Sequence, residues 1–210
     1  MISQDVDQFE KALLSFDRLA AENILNKSDG DRTPIQFIEE LIVPALERLG
    51  TGWEEGRVAL SQIYMSGRIC EKLVNDILSP CVQKRTDQPR MAIGVLEDYH
   101  LLGKRIVYSA LRASGFELLD YGQITVDELV RRIKEERIKV LLISVLMLPS
   151  ALLVKKVREK LKETGTEVKI VVGGAPFRFD NNLWKEVEAD AMGNNASEAV
   201  QIITKIMEEL

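Results

Sequence analysis

The chain has 210 residues, of which 46% are hydrophobic, and its formal net charge is −5. This length and apolar content suit one large or two small packed domains and exclude a disordered chain. Lys and Arg are spread among Asp and Glu, without the basic blocks that a nucleic-acid surface needs. No apolar run approaches the ~20 residues of a membrane-spanning helix, and the polar, acidic N-terminus argues against a signal peptide. We therefore expect a cytoplasmic protein, with Cys70 and Cys81 as reduced structural thiols because their spacing is neither zinc-type nor redox-type.

The pattern of residues 1–80 is that of a helical domain. Apolar residues recur at steps of three and four along a first helix, and a short second helix follows it. The predicted apolar stripe of the first helix is Val6, Phe9, Leu13 and Phe16. A fourth helix begins near Leu60. Helices joined by short loops predict a small four-helix bundle.

The third helix of this half has a clear beginning and an internal irregularity. Thr33 and Gln36 have the spacing of a capping box, and Pro34 fits the first helical position. Pro44 lies inside the same helix and is expected to kink it or to remove one backbone hydrogen bond.

A charged segment with proline, 81–90, predicts a linker, and the remaining residues, 91–210, alternate between strand and helix patterns. The predicted strands are Met91–Leu96, Glu117–Tyr121, Val140–Ser144, Val168–Val172 and Ala189–Met192. The predicted helices are Gly103–Ser114, Val126–Arg137, Ser150–Thr164, Asn182–Val187 and Ser197–Glu209. Thr125 and Glu128 suggest a capping box, and Gly115 and Gly165 sit where helix C-caps belong. The pattern predicts an α/β domain with a five-stranded, doubly wound parallel sheet.

Three polar or glycine-containing stretches follow predicted strands. They are Asp98-x-His100-x-x-Gly103 after the first strand, Ser144-x-Leu146 after the third, and Gly173-Gly174 after the fourth. Because loops at the carboxyl ends of parallel strands meet at one edge of the sheet, we expect these stretches to form one ligand site. His100 is the single histidine of the chain.

The order and spacing of these stretches resemble the Rossmann-like cobalamin-binding domain of methionine synthase, the base-off mutases and the small corrinoid proteins of methyl-transfer systems. The helical half resembles the cap domain that precedes it in the methyl-transfer branch. The resemblance implies cobalamin bound base-off, with His100 as the lower cobalt ligand. Imidazole suits such a metal, and a carboxylate such as Asp98 usually accepts the other ring N–H.

The resemblance also assigns roles to the residues around His100. Ser150 would extend the pair to a His-Asp-Ser relay, Gly103 would let the loop turn close to the sheet, and the two glycines would clear a channel for the displaced nucleotide tail. The start of the last helix would offer N–H groups to the tail, and Tyr64, with Trp53, Gln62 and Met65, would lie near the upper face. The full set implied for the cofactor is Asp98, Tyr99, His100, Leu101, Gly103, Ser144, Leu146, Leu148, Ser150, Gly173, Gly174, Ala175, Asn194, Asn195, Ser197 and Tyr64.

The chain departs from the family pattern at three positions. Glu97 stands where many members have Gly, Leu101 replaces an acidic or amide residue, and Leu148 replaces a frequent Thr. These changes concern the affinity and redox tuning more than the mode of binding.

By resemblance, the chain is a corrinoid methyl carrier, not catalytic alone, with no catalytic residue of its own. It would pass a methyl group on cobalt from a substrate-specific methyltransferase to a second one that uses tetrahydrofolate or a thiol, with a reductive activase as a further implied partner. The helical half would act as a lid above the corrin. The alternatives are a cobalamin-dependent sensor or regulator, a mutase small subunit, which normally lacks the helical half, and a binding module for another ligand.

Overall fold

The computed structural model describes residues 2–27, 33–77 and 88–209. The chain divides into two compact units, Met1–Ser79 and Pro80–Leu210. Most of the predicted linker, together with Cys81, lies outside the described residues.

The first unit is helical, as expected. Its described helices are α1 (Ile2–Leu14), α2 (Arg18–Lys27), α3 (Pro34–Phe37), a π-helical segment (Ile38–Ile42), α4 (Val43–Glu54) and α5 (Leu60–Ile77). Val6, Phe9 and Leu13 of α1 are buried. The prediction for Phe16 is wrong: this residue adopts a φ of +58° beyond the end of α1, and 45% of it is exposed.

The predicted third helix is interrupted. It begins with the expected capping box, in which the Gln36 backbone N–H donates to the Thr33 hydroxyl and the Thr33 N–H donates to the Gln36 side chain. The π-helical turn directly precedes the segment with Pro44, which occupies the first turn of α4. Proline lacks an N–H, so a wide turn before it accommodates the missing bond without ending the helical run.

The second unit contains a five-stranded parallel sheet in the order β2-β1-β3-β4-β5. Its strands are β1 (Met91–Leu96), β2 (Leu119–Ile124), β3 (Val140–Ser144), β4 (Lys169–Gly173) and β5 (Ala191–Gly193). Its helices are α6 (Leu102–Ala113), α7 (Val126–Glu135), α8 (Leu148–Glu163), α9 (Ala175–Phe179), α10 (Leu183–Glu186) and α11 (Ala196–Glu209). The doubly wound α/β prediction is therefore confirmed.

Both faces of this sheet are covered. Leu141 and Ile143 of β3 belong to one buried cluster, whereas Val140 and Leu142 belong to the cluster on the opposite face. Alternate residues of a strand point to opposite faces, so a continuous apolar run such as β3 suits a sheet buried on both sides. Among the described residues, no helix is long and apolar enough to cross a membrane.

The predicted boundaries differ where local geometry changes. β2 begins two residues later than expected, and the pairing register between β1 and β2 shifts between Ile93 and Val95. The short helix α9 was not predicted.

The predicted helix caps agree with the structure. Gly115 and Gly165 adopt positive φ angles after α6 and α8, as the C-cap prediction requires. Thr125 accepts the N–H of Glu128 at the start of α7.

Candidate functional site

The three predicted stretches lie on adjacent strands. In the sheet register, Ser144 of β3 is opposite Val95 of β1 on one side and Gly173 of β4 on the other. Gly173 in turn is opposite Gly193 of β5. The carboxyl ends of four neighbouring strands therefore form one edge, and the loops that follow them surround it.

Asp98 orients the imidazole of His100. The Asp98 Oδ1 lies 2.6 Å from His100 Nδ1 and also accepts the His100 backbone N–H at 3.1 Å. The Asp98 side chain is only 1% exposed, whereas that of His100 is 52% exposed. Because Nδ1 is bonded to a carboxylate, the ring carries its proton on Nδ1. The lone pair of Nε2 is therefore available to coordinate a metal.

The same carboxylate connects the β1–α6 loop to the β3–α8 loop. Asp98 Oδ2 accepts the backbone N–H groups of Leu146 at 2.8 Å and of Met147 at 2.9 Å. Burial, the largest single influence, raises the pKa of Asp98. The hydrogen bonds from the imidazole and from the backbone N–H groups together outweigh it, so the pKa lies below its ordinary value. Asp98 is therefore an anion at neutral pH.

Exposed apolar side chains belong to the loops that carry this pair. Tyr99 is 83% exposed, and Leu146, Met147 and Leu148 are each about half exposed. Leu101 is half-buried. Large apolar side chains rarely stay exposed together on a soluble protein unless they contact a partner or ligand.

Ser150 takes a different part from the one expected. It is buried in the first turn of α8, but its hydroxyl donates to the backbone carbonyl of Glu97 at 2.9 Å. Within the described residues, the Asp98 carboxylate is bonded to His100 and to backbone N–H groups and not to Ser150. The expected relay to Ser150 is therefore corrected: this hydroxyl anchors the loop backbone.

The prediction that the loop needs a glycine at position 103 in order to turn close to the sheet is wrong. Gly103 lies in the first turn of α6 without a positive φ, and a Cβ there would be 3.4 Å from the Ser144 hydroxyl, an ordinary contact. Because Gly103 has no side chain, nothing at this position covers the half-buried Ser144 hydroxyl.

Position 174 requires glycine because of the surrounding protein backbone. The φ of Gly174 is +124°, and a Cβ would lie 1.7 Å from the carbonyl oxygen of Val145. A side chain at position 173 would be crowded but not excluded, because a Cβ would be 3.1 Å from the Gly193 carbonyl oxygen. Close packing of the β4–α9 turn on the β3–α8 loop therefore accounts for Gly174 without a ligand, and Ala175 begins α9 half-buried.

The start of α11 is already supplied with a carboxylate. Glu198 accepts the backbone N–H and the side-chain amide of Asn194, and the side-chain amide of Asn195. The Asn195 side chain in return accepts the Glu198 N–H at 2.8 Å. Ser197 lies in the first turn of this helix. Glu198 thus binds the Asn194 N–H and both asparagine side-chain amides. The role of this helix start towards the nucleotide tail stays a prediction.

The residues predicted near the upper face belong to the helical unit. Tyr64 is 66% exposed on α5, and Trp53 and Met65 are exposed too. Gln62 is engaged within its own unit, where it accepts the Ala59 N–H at 3.0 Å and donates to the Leu14 carbonyl. Their role towards a cofactor stays a prediction.

Sequence reasoning missed three contributions to the site. Backbone N–H groups at Leu146 and Met147 carry no sequence signal. Glu97 was identified only as a departure, yet it adopts a φ of +44° directly before Asp98. Lys104 is buried beside the loop and paired with Asp120; a lysine inside an apolar helix pattern is the one available signal.

The site suits a metal that arrives within a macrocycle. Among the described residues no group of three or more His, Cys, Asp or Glu side chains could cage an ion. His100 offers one oriented imidazole on an exposed apolar surface, which matches a metal whose remaining ligands come from a flat organic ring.

Two family models match the chain. One B12-binding-domain model matches residues 91–203, and a second B12-binding-domain model matches residues 6–77. The chain is 30% identical to the trimethylamine corrinoid protein of Methanosarcina barkeri over 91% of each chain. It is 32% identical to monomethylamine corrinoid protein 1 of Methanosarcina acetivorans, over 85% of this chain and 86% of that one.

Solved structures show the same fold. The monomethylamine corrinoid protein of Methanosarcina barkeri matches with a TM-score of 0.84 at 24% identity, over 99% of this chain and 100% of that one. A chain of the methanol:cobalamin methyltransferase complex from Methanosarcina barkeri matches with a TM-score of 0.53 at 19% identity, over 99% and 81%. With the oriented His100, the matched domain models and these relatives, the chain belongs to the B12-binding corrinoid protein family.

Proposed function

We propose that the chain is the corrinoid-carrying subunit of a methyl-transfer system and that His100 is the lower ligand of its cobalt. One observation carries the proposal: a half-exposed imidazole is held at Nδ1 by the buried Asp98 carboxylate, 2.6 Å away. A corrinoid held by His100 would supply the cobalt centre for methyl transfer. The chain's own residues would bind the corrinoid, orient the imidazole and tune its strength as a ligand.

Asp98 sets the chemistry of the ligand. By accepting the hydrogen bond from the Nδ1–H group it fixes one tautomer, directs Nε2 outward and makes the imidazole a more basic ligand. Its own position does not depend on His100 alone, since the N–H groups of Leu146 and Met147 hold its second oxygen. An imidazole oriented in advance loses less entropy when it binds a metal.

The apolar side chains around the loop supply the binding surface. Tyr99, Leu146 and Leu148 are exposed, and a corrin ring would cover them. The open side of the Ser144 hydroxyl, next to Gly103, offers a polar contact for the displaced tail. We propose base-off binding, in which His100 would take the place of the nucleotide base and the displaced tail would lie beside Ser144.

A carrier needs a donor and an acceptor. Relatives of the chain are named trimethylamine and monomethylamine corrinoid proteins, and one solved match is a chain of a methanol:cobalamin methyltransferase complex. We propose that this chain likewise works between a substrate-specific methyltransferase and a second methyltransferase using tetrahydrofolate or a thiol. A reductive activase would restore the reduced cofactor.

Visible spectroscopy tests the proposal. Wild-type protein titrated with hydroxocobalamin is expected to give a base-off, histidine-ligated spectrum. His100→Ala is expected to fold, because this side chain is half exposed, and to bind more weakly or with water as the lower ligand. Absence of any complex at micromolar wild-type protein would refute the proposal, and an unchanged His100→Ala spectrum would refute the ligand assignment.

A further inference from the structure

The backbone of Glu97 is held on both sides. Its N–H donates to the Ile124 carbonyl at the end of β2 at 2.9 Å, and its carbonyl accepts the hydroxyl of Ser150 in α8 at 2.9 Å. Its φ of +44° lies in the left-handed region, which is costly for a residue with a Cβ. This unusual conformation is the last step before Asp98.

The side chain of Glu97 reaches a third element. Its Oε1 accepts the backbone N–H of Val126, the first residue of α7, at 3.2 Å. Thr125 caps the same helix by accepting the N–H of Glu128. The two side chains therefore satisfy different N–H groups of one helix end, where a carboxylate is also favoured by the helix dipole.

We infer that Glu97 is a positioning residue for the His100 ligand: its carboxylate, bonded to α7, holds the left-handed backbone step that aims Asp98 and His100. The residue connects β2, α7 and α8 at the point where β1 ends, so the following loop is attached to three elements. The inference deepens the proposed function and rests on it only in taking cobalamin as the ligand.

The path from Glu97 to the ligand runs through Asp98. Asp98 must lie where one oxygen meets the imidazole of His100 and the other meets the N–H groups of Leu146 and Met147. A neighbouring backbone step that drifts moves this carboxylate off both sets of donors. Protection of those two N–H groups against hydrogen exchange therefore reports the position of Asp98 without any cofactor.

The test uses two variants and a matched control. Glu97→Ala keeps a Cβ, so the left-handed φ stays costly, but it loses the bond to α7, whereas Glu97→Gln keeps an acceptor oxygen at the same place. Glu188 is the control, because it also has a positive φ of +58°, its carbonyl accepts from Arg158 and its carboxylate pairs with Lys162. It precedes β5 and so lies at the amino edge of the sheet, opposite the ligand loops.

In the cofactor-free protein, Glu97→Ala is expected to accelerate exchange at Leu146, Met147 and Val126 while the amides of β3 stay protected. Glu97→Gln is expected to restore the slow exchange, and Glu188→Ala to leave those amides unchanged. A purely structural role would accelerate exchange throughout the sheet. Unchanged exchange at Leu146 and Met147 in Glu97→Ala, whatever happens at Val126, would show that Glu97 does not hold Asp98 in place. Either result would overturn the inference.

Titration with hydroxocobalamin gives the second readout. Glu97→Ala is expected to bind about fivefold more weakly, the size of one lost helix-cap bond, and Glu97→Gln and Glu188→Ala to bind like wild type. Equal affinity for Glu97→Ala and wild type would contradict the inference. Failure of the wild type to bind would refute the proposed function instead, and the exchange result would still decide whether Glu97 positions the loop.

Discussion

The Asp98 carboxylate accepts the backbone N–H of Leu146 at 2.8 Å, across a separation of 48 residues in the chain. Its other oxygen binds His100. The orientation of the ligand imidazole and the position of the apolar β3–α8 loop are thereby set by one side chain, which makes Asp98 the most informative position to change.

Asp98→Asn is expected to disturb both loops. An amide has one acceptor oxygen, so the variant cannot accept from the imidazole and from the β3–α8 N–H groups together. We expect cobalamin affinity to fall roughly 10- to 100-fold, as for other lost partners of metal-ligating histidines. Asp127→Asn, an exposed carboxylate paired with Lys160, is the control. Equal affinity in Asp98→Asn and Asp127→Asn would show that Asp98 does not tune the ligand.

The lowered pKa of Asp98 predicts a dependence on acid. Because the folded-state pKa lies below that of the unfolded chain, the carboxylate stabilises the fold above the unfolded value of about 4. This contribution is lost as the pH falls through the folded pKa. Urea unfolding between pH 7 and pH 3 should therefore show a loss of stability that is smaller in Asp98→Asn. Parallel curves for both proteins would contradict the assignment.

Gly174→Ala is expected to destabilise the α/β unit strongly. The new Cβ would overlap the Val145 carbonyl oxygen and occupy a φ of +124°, so the cost should reach about 3 kcal/mol or more, as strain and overpacking add. Thermal or urea denaturation measures it. A loss below about 1 kcal/mol, the size of a routine substitution, would mean that the turn can relax.

Gly103→Ala separates folding from ligand binding. Its Cβ would make only an ordinary contact with Ser144 in a helical turn, and alanine favours helix over glycine by roughly 1 kcal/mol. Stability should therefore hold or rise slightly. Cobalamin affinity should fall, because the methyl group would cover the Ser144 hydroxyl. If affinity is kept, the space beside Gly103 is not used by the ligand.

The sequence by itself determined the features that depend on local chemistry. β1 and β3 lie at their predicted residues because continuous apolar runs suit buried parallel strands. The Thr33 capping box needs only neighbouring residues. The pairing of Asp98 with His100, two positions apart, is local in the same sense.

Only the tertiary structure decided which groups from distant parts of the chain meet. The residue types do not reveal that Ser150 binds the Glu97 carbonyl rather than Asp98, since a hydroxyl bonds whichever acceptor packing places beside it. The N–H groups of Leu146 and Met147 are the same in every residue except proline, so their role at Asp98 is invisible in the sequence.

The glycines make the same point. Gly174 is visible in the sequence, but the reason for it is the approach of Val145, which exists only once β3 and β4 lie side by side. Local pattern thus identified the acid and the imidazole, and the packing of parallel strands determined what holds them, because hydrogen bonds and steric contacts across the sheet join residues that are far apart in the chain.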